Sequence, residues 1–257
     1  MKKIIYSILI FAGLALFSCQ DILDREPLDQ ISDAAVWNDP ALIEALLYDS
    51  YASTPFHASQ SQNDVTSLGV VLPVTVADEG FSKKSHEKGA KTWKRNLLDE
   101  EGKLFEYWGY DEVRKCNQFL ELIETATVED KEVYAAEMRF IRAYTYFEMV
   151  KRYGGVPLIT EVQDVNADST ELFVSRNSEK EIYDFIYSEL NEIVDILPES
   201  HDGGFGRATK YAAAALNSRA MMYAASVAQW GTQQLDGLLG FPSSEAQSYW
   251  QKCYDAS

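Results

Sequence analysis

The chain has 257 residues, 46% hydrophobic and 25% charged, which is long and apolar enough for a sizeable core in one domain and reads as globular rather than disordered. Forty acidic against 23 basic side chains give a formal charge of −17, which argues against phosphate-backbone binding and electrostatic docking on anionic lipid, since both need basic side chains. The three cysteines, Cys19, Cys116 and Cys253, form no CxxC pair, so zinc-ribbon and thioredoxin-type readings fall away.

Met1 to Ser18 has a basic start (Lys2, Lys3), an apolar run from Ile4 to Phe17 and a small residue before Cys19. That run is short of the roughly 20 residues of a membrane span and suits a signal peptide over 1–18. Leu16-Phe17-Ser18-Cys19 looks like a relaxed bacterial lipobox, which puts cleavage before Cys19 and acyl chains on its thiol and new amine. At about 0.8 kcal/mol per buried methylene, several such chains make a firm anchor. The alternative is an ordinary signal peptide cut near Ser18 with Cys19 incidental. Without the two leader lysines, 21 basic side chains face 40 acidic ones, a net of −19. Residues 19–40 read as a lipidated tether, polar from Asp24 to Ser32.

Asp39-Pro40 opens a predicted helix from about Ala41 to Ser53, with Leu42, Ala45, Leu46 and Tyr48 to one side. Thr54 to about Asn96 has no long helical period; Leu68 to Val76 suits a short strand or buried extended piece. A long irregular segment in a helical chain is usually functional or mobile. Helix resumes over 98–124, with Leu104, Trp108, Val113, Cys116, Phe119, Leu120 and Ile123 in helical spacing; Cys116 reads as a small buried residue.

The longest helical period follows. Val133, Ala136, Phe140, Tyr144, Phe147 and Val150 share one broad face, and Ile141 and Met149 widen it, so this helix should touch neighbours on more than one side. Glu148 and Arg152 form a favourable i, i+4 pair. Gly154-Gly155 and Pro157 stop the helix. An acidic loop spans 161–177. Ser178 with Glu181 is a capping box for a helix to Leu197, whose apolar face is Ile182, Phe185, Ile186, Leu190, Ile193, Val194 and Leu197. Thr209 caps an Ala-rich helix to about Gln229, residues 231–242 make a loop, and Ser244 starts a last helix expected to be still running at Ser257, as in a fragment of a longer chain.

Slid by 77 positions, Arg142 meets Arg219, Ala143 meets Ala220, Tyr146 meets Tyr223, Val150 meets Val227, Tyr153 meets Trp230 and Gly154 meets Gly231. This reads as a mainly α, TPR-like helical repeat, an α-solenoid with long irregular insertions, whose bare unit is about 34 residues. The expected pairs are 41–53 with 98–124, 133–153 with 178–197, and 209–229 with 245 onward. Truncation of such a stack would expose an apolar face.

Three blocks, in order, resemble the SusD/RagB family, surface lipoproteins that capture nutrients in Bacteroidetes. RFIRAYTYFEMVKRYGGVPLI at 139–159 resembles its signature helix and turn, GRATKYAAAALNSRAMMYAAS at 206–226 its next block, and SCQDILDREP at 18–27 its lipidated start. Gln20-Asp21 resembles the signal that sends such lipoproteins to the cell surface. The resemblance covers about the first half of the family pattern, so 41–257 would be a SusD-like TPR-containing domain truncated at its C-terminus.

It implies a non-catalytic outer-membrane lipoprotein, surface-exposed and anchored through Cys19. Such a protein passes an oligosaccharide to a SusC-like TonB-dependent transporter over which it sits as a lid. No nucleic acid and no cofactor are implied. Trp93 and Asn96 resemble the Trp-x-x-Asn of starch-binding members, and Phe81 and Asp78 stand in the same segment. Sugars present apolar C–H faces and hydroxyl edges, so an aromatic platform with amides and carboxylates suits them. Trp93 packing into the helix stack is the competing reading, and Trp230 is a weaker ligand candidate. Peptide cargo, a TPR-like scaffold without small ligand, and a hydrolase remain as alternatives.

No GxSxG, HExxH, P-loop or kinase-like signature is present. Gly204-x-Gly206 lacks the strand and third glycine of a dinucleotide turn and reads as a flexible loop before a capped helix. His57, His86 and His201 are isolated, which favours solvated side chains over a metal site. Asp78-Glu79 and Asp99-Glu100-Glu101 offer a glycosidase carboxylate pair only on paper.

Overall fold

The structure is a computed structural model and describes residues 36–54, 107–202 and 206–257. Among the described residues, six helices longer than a single turn carry the fold: α1 (Pro40–Ser53), α2 (Tyr110–Ile123), α3 (Lys131–Tyr153), α4 (Glu179–Ile193), α5 (Lys210–Trp230) and α6 (Ala246–Asp255). Among the described residues, extended pairing is limited to one isolated bridge, Gln234 with Leu239. The fold is mainly α and TPR-like, as the sequence predicts.

Local chemistry sets the helix starts. The Asp39 carboxylate accepts from Ala41 N at 2.9 Å, with Pro40 in the first turn of α1. Ser178 and Glu181 form the expected capping box on α4, and the Thr209 hydroxyl accepts from Ala212 N on α5.

Helix α3 lies at the centre. From Phe140 to Val150 every residue is buried. An α-helix points only part of its surface at any one neighbour, so burial all round needs packing on several sides. Tyr146 meets Tyr110 of α2 and Phe185 of α4, with ring centroids 6.5 and 5.2 Å away, and Phe147 meets Tyr183 of α4 and Tyr223 of α5 at 6.5 and 5.4 Å. Helix α3 packs on α1, α2 and α4, α4 on α5, and α5 on α6. The predicted pairs of α3 with α4 and α5 with α6 therefore stack in order. Ala213, Ala220, Ala224, Ala225 and Ala228 are buried on α5; side chains this small let neighbouring backbones approach.

Three expectations are corrected. The buried face of α1 is Ile43, Leu47 and Ser50, while Ala45, Leu46 and Tyr48 point to solvent. This helix is apolar nearly all round, so the sequence period does not select its inner face. Within the described residues α2 begins at Tyr110, with Gly109 as its N-cap, and Trp108 stands outside the helix with its ring exposed. Helix α6 ends at Asp255 instead of running through Ser257.

Two clusters tie the stack together. The buried Glu137 carboxylate of α3 accepts from the Tyr51 hydroxyl of α1 at 2.8 Å and from Arg207, whose guanidinium also reaches Glu44. The second, around Arg142 and Glu189, bears directly on the groove below.

Candidate functional site

The ligand-binding residues expected from sequence, Trp93, Asn96, Phe81 and Asp78, and the expected lipidation site Cys19, all lie outside the described residues. So do His57, His86, Gly204, the Leu68–Val76 piece and the acidic pairs of 78–79 and 99–101. Trp230 ends α5 and is 67% exposed, edge-on to Trp250 with centroids 6.1 Å apart. His201 is not solvated as expected. Its side chain is almost wholly buried, Nε2 lies 2.7 Å from the Ala208 carbonyl oxygen, and the Glu137 carboxylate is 4.0 Å away. Cys116 is buried as expected, and burial raises its thiol well above the ordinary range.

A wide groove of about 400 Å³, within the usual size range of small-ligand sites, opens beside the start of α2. Trp108, just before α2, and Tyr110, Asp111, Arg114 and Asn117 of α2 line it. Pro157 and Ile159 form the floor, and Glu161, Gln163 and Phe173 complete the lining.

The floor begins where α3 ends. Gly154 takes φ +67°, a region that costs L side chains dearly, and Gly155 packs against the Asn177 carbonyl. The chain then runs extended through Pro157 to Thr160, and side chains hold its backbone groups. The Tyr110 hydroxyl donates to the Pro157 carbonyl at 2.5 Å. The Tyr146 hydroxyl accepts from Ile159 N at 2.8 Å and donates to Ile159 O at 3.0 Å. Asn117 Nδ2 donates to the Ile159 and Glu161 carbonyls at 3.1 and 3.0 Å. Arg142 Nη1 donates to Asn117 Oδ1 at 2.8 Å and to Thr160 O at 3.2 Å. Arg142 is held in turn by Glu189 at 2.8 Å, and both side chains are only 8% exposed. A buried polar network that is satisfied in this way fixes one geometry.

The rim is different. Trp108 is 54% exposed, yet Tyr110 and Tyr153 fix its ring, with centroids 5.0 and 5.2 Å away. Phe173, just after a single helical turn at Ser169–Leu172, is 82% exposed. Asp111 and Arg114 face solvent on α2, and Arg114 Nη1 donates one of its five N–H groups to the Gln163 carbonyl at 3.2 Å. Two aromatic surfaces with carboxylate, guanidinium and amide groups beside them can hold a ligand that has apolar faces and hydroxyl edges. Sequence reasoning assigned Trp108 to a helix face and passed over Phe173. Gly109, a poor helix former directly after Trp108 and the N-cap of α2, is the sequence signal that separates Trp108 from the helix.

Among the described residues no group of three or more His, Cys, Asp or Glu is placed to hold a metal ion, and no helix is long and apolar enough to cross a membrane.

Comparison with known proteins agrees with the fold. A family model described as SusD-like, starch-binding associating with outer membrane, matches residues 23–222. SusD-like protein P38 of Formosa agariphila is 27% identical over 206 residues, covering 75% of this chain and 38% of its own. A SusD-like protein of Bacteroides ovatus is 29% identical over 216 residues, covering 80% of this chain and 37% of its own. The crystal structure of a SusD-like protein from Bacteroides fragilis is 29% identical, covers 91% of this chain and 41% of that one, and superposes with a TM-score of 0.62. A laminarin-binding SusD-like protein shares the fold at 22% identity and a TM-score of 0.59, covering 76% of this chain and 44% of that one. The chain thus spans about two fifths of the length of the curated relatives it matches.

Proposed function

The chain belongs to the SusD-like family of starch-binding proteins associating with the outer membrane, and from this we propose that it captures a glycan at the outer-membrane surface without catalysing its breakdown. The family match over residues 23–222 carries the reading. A groove with exposed, clamped aromatic rings supports it from the described part of the chain. The laminarin-binding neighbour is consistent with the same class of cargo.

The finer parts of the proposal rest on the sequence. Lipid at Cys19 holds the protein to the membrane and the protein faces outward. The captured oligosaccharide passes to a SusC-like TonB-dependent transporter. Trp93 and Asn96, with Phe81 and Asp78, contribute to the glycan site. The helix stack offers the rigid frame that such a site needs.

Native affinity electrophoresis tests the reading. Gels carrying starch, laminarin or other polysaccharides should retard the protein in at least one case, with no new reducing ends in the gel. Free migration in every gel, or the appearance of new reducing ends, would contradict it.

A further inference from the structure

We propose that the groove between the start of α2 and the 157–174 segment seats a ring of a neutral glycan on Trp108, with Phe173 as the opposing wall; this rests on the glycan-capture reading. Trp108 carries the inference. Its ring is half exposed yet held by Tyr110 and Tyr153, with centroids 5.0 and 5.2 Å away. Tyr110 is itself bonded to the Pro157 carbonyl. A fixed, water-facing indole loses little conformational freedom when a flat apolar surface covers it. The C–H face of a pyranose is such a surface, and burying it removes apolar area from water on both partners.

The polar groups at the rim suit the edges of the same ring. Asp111 accepts hydrogen bonds and Arg114 donates them. Hydroxyls are donors and acceptors at once, so a mixed set serves them well. Charge narrows the class further. Asp111 and Glu161 outnumber Arg114 among the groove residues, and the whole chain carries a formal −17. A carboxylated or sulfated sugar would meet a repulsive field, so the cargo is uncharged.

The groove is also preorganised. Its floor is pinned by Tyr146, Asn117 and Arg142, so binding need not order the backbone there.

The test uses the polysaccharide that retards the wild-type protein, and the same polymer oxidised at its primary hydroxyls to carboxylates. Trp108→Ala and Phe173→Ala should each weaken retardation by the neutral polymer about tenfold, the scale of losing one aromatic anchor. The oxidised polymer should retard the wild type far less. Thermal unfolding checks the fold of each variant. Should Trp108→Ala unfold, Phe173→Ala alone decides, since its ring is 82% exposed and its loss spares the core. Undiminished retardation of the folded variants overturns the groove assignment while glycan capture stands. Equal retardation by the oxidised polymer overturns the neutral class. No retardation of the wild type by any polysaccharide overturns both readings together.

Discussion

An ideal Cβ on Gly155 would lie 2.1 Å from the Asn177 carbonyl oxygen, a backbone atom that has no rotamer to escape into. Gly155→Ala should therefore push apart the end of α3 and the segment before α4, and lower the midpoint of thermal unfolding by several degrees or more. An unchanged midpoint would contradict the packing described. Glu112 makes a second residue-level case. Burial raises its carboxyl above the usual 4.5, and the Ser53 hydroxyl, with Lys115 beside it, only partly restores the charged form. A raised folded value means the protonated form contributes stability that is complete below the unfolded value and is lost as pH rises through the folded one. Glu112→Gln, which stays neutral, should match the wild type below about pH 4 and exceed it at pH 7 in thermal unfolding. Equal midpoints at both pH values would show that the carboxyl is not perturbed. Glu148 goes the other way. Its burial opposes charge, but Lys151 and Arg152 outweigh that and hold the carboxyl below its ordinary value.

At the scale of elements, α3 depends on the buried pair it forms with α4. Glu189 bridges Arg139 and Arg142, and Arg142 continues to Asn117 of α2 and the groove floor. Glu189→Leu should cost about 3–5 kcal/mol in chemical denaturation, because it strands a buried guanidinium. Adding Arg142→Met should cost less than the two single losses summed, since the stranded charge goes with it. Strict additivity would mean the two side chains do not interact. Much of this architecture was legible in the sequence. The caps at Asp39, Ser178 and Thr209 are local chemistry, read from residues within three positions of each other. The central role of α3 was legible because its apolar residues exceed one face. The inner face of α1 was not, since Leu42, Leu46 and Leu47 surround that helix and only its neighbours choose among them. The groove was illegible for another reason. Its walls come from α2 and from segments some 50 residues later, and exposure of Trp108 or Phe173 follows from tertiary placement, not from local pattern.

At the scale of the whole molecule, the helix stack and the glycan reading fit together. Arg207, at the entrance to α5, ties Glu137 of α3 and Glu44 of α1, so the first and third long helices share one buried cluster. Arg142 links the other side of α3 to the floor of the groove. A ligand seated on Trp108 would thus bear on a frame held on both sides of α3. The proposed function has two halves: the protein holds a glycan, and it leaves that glycan intact. Equilibrium dialysis against an oligosaccharide of defined length, followed by chromatography of the recovered sugar, tests both halves at once. The oligosaccharide should be retained with the protein and recovered at its original length. Sugar that distributes evenly across the membrane, or that returns shortened, would contradict it.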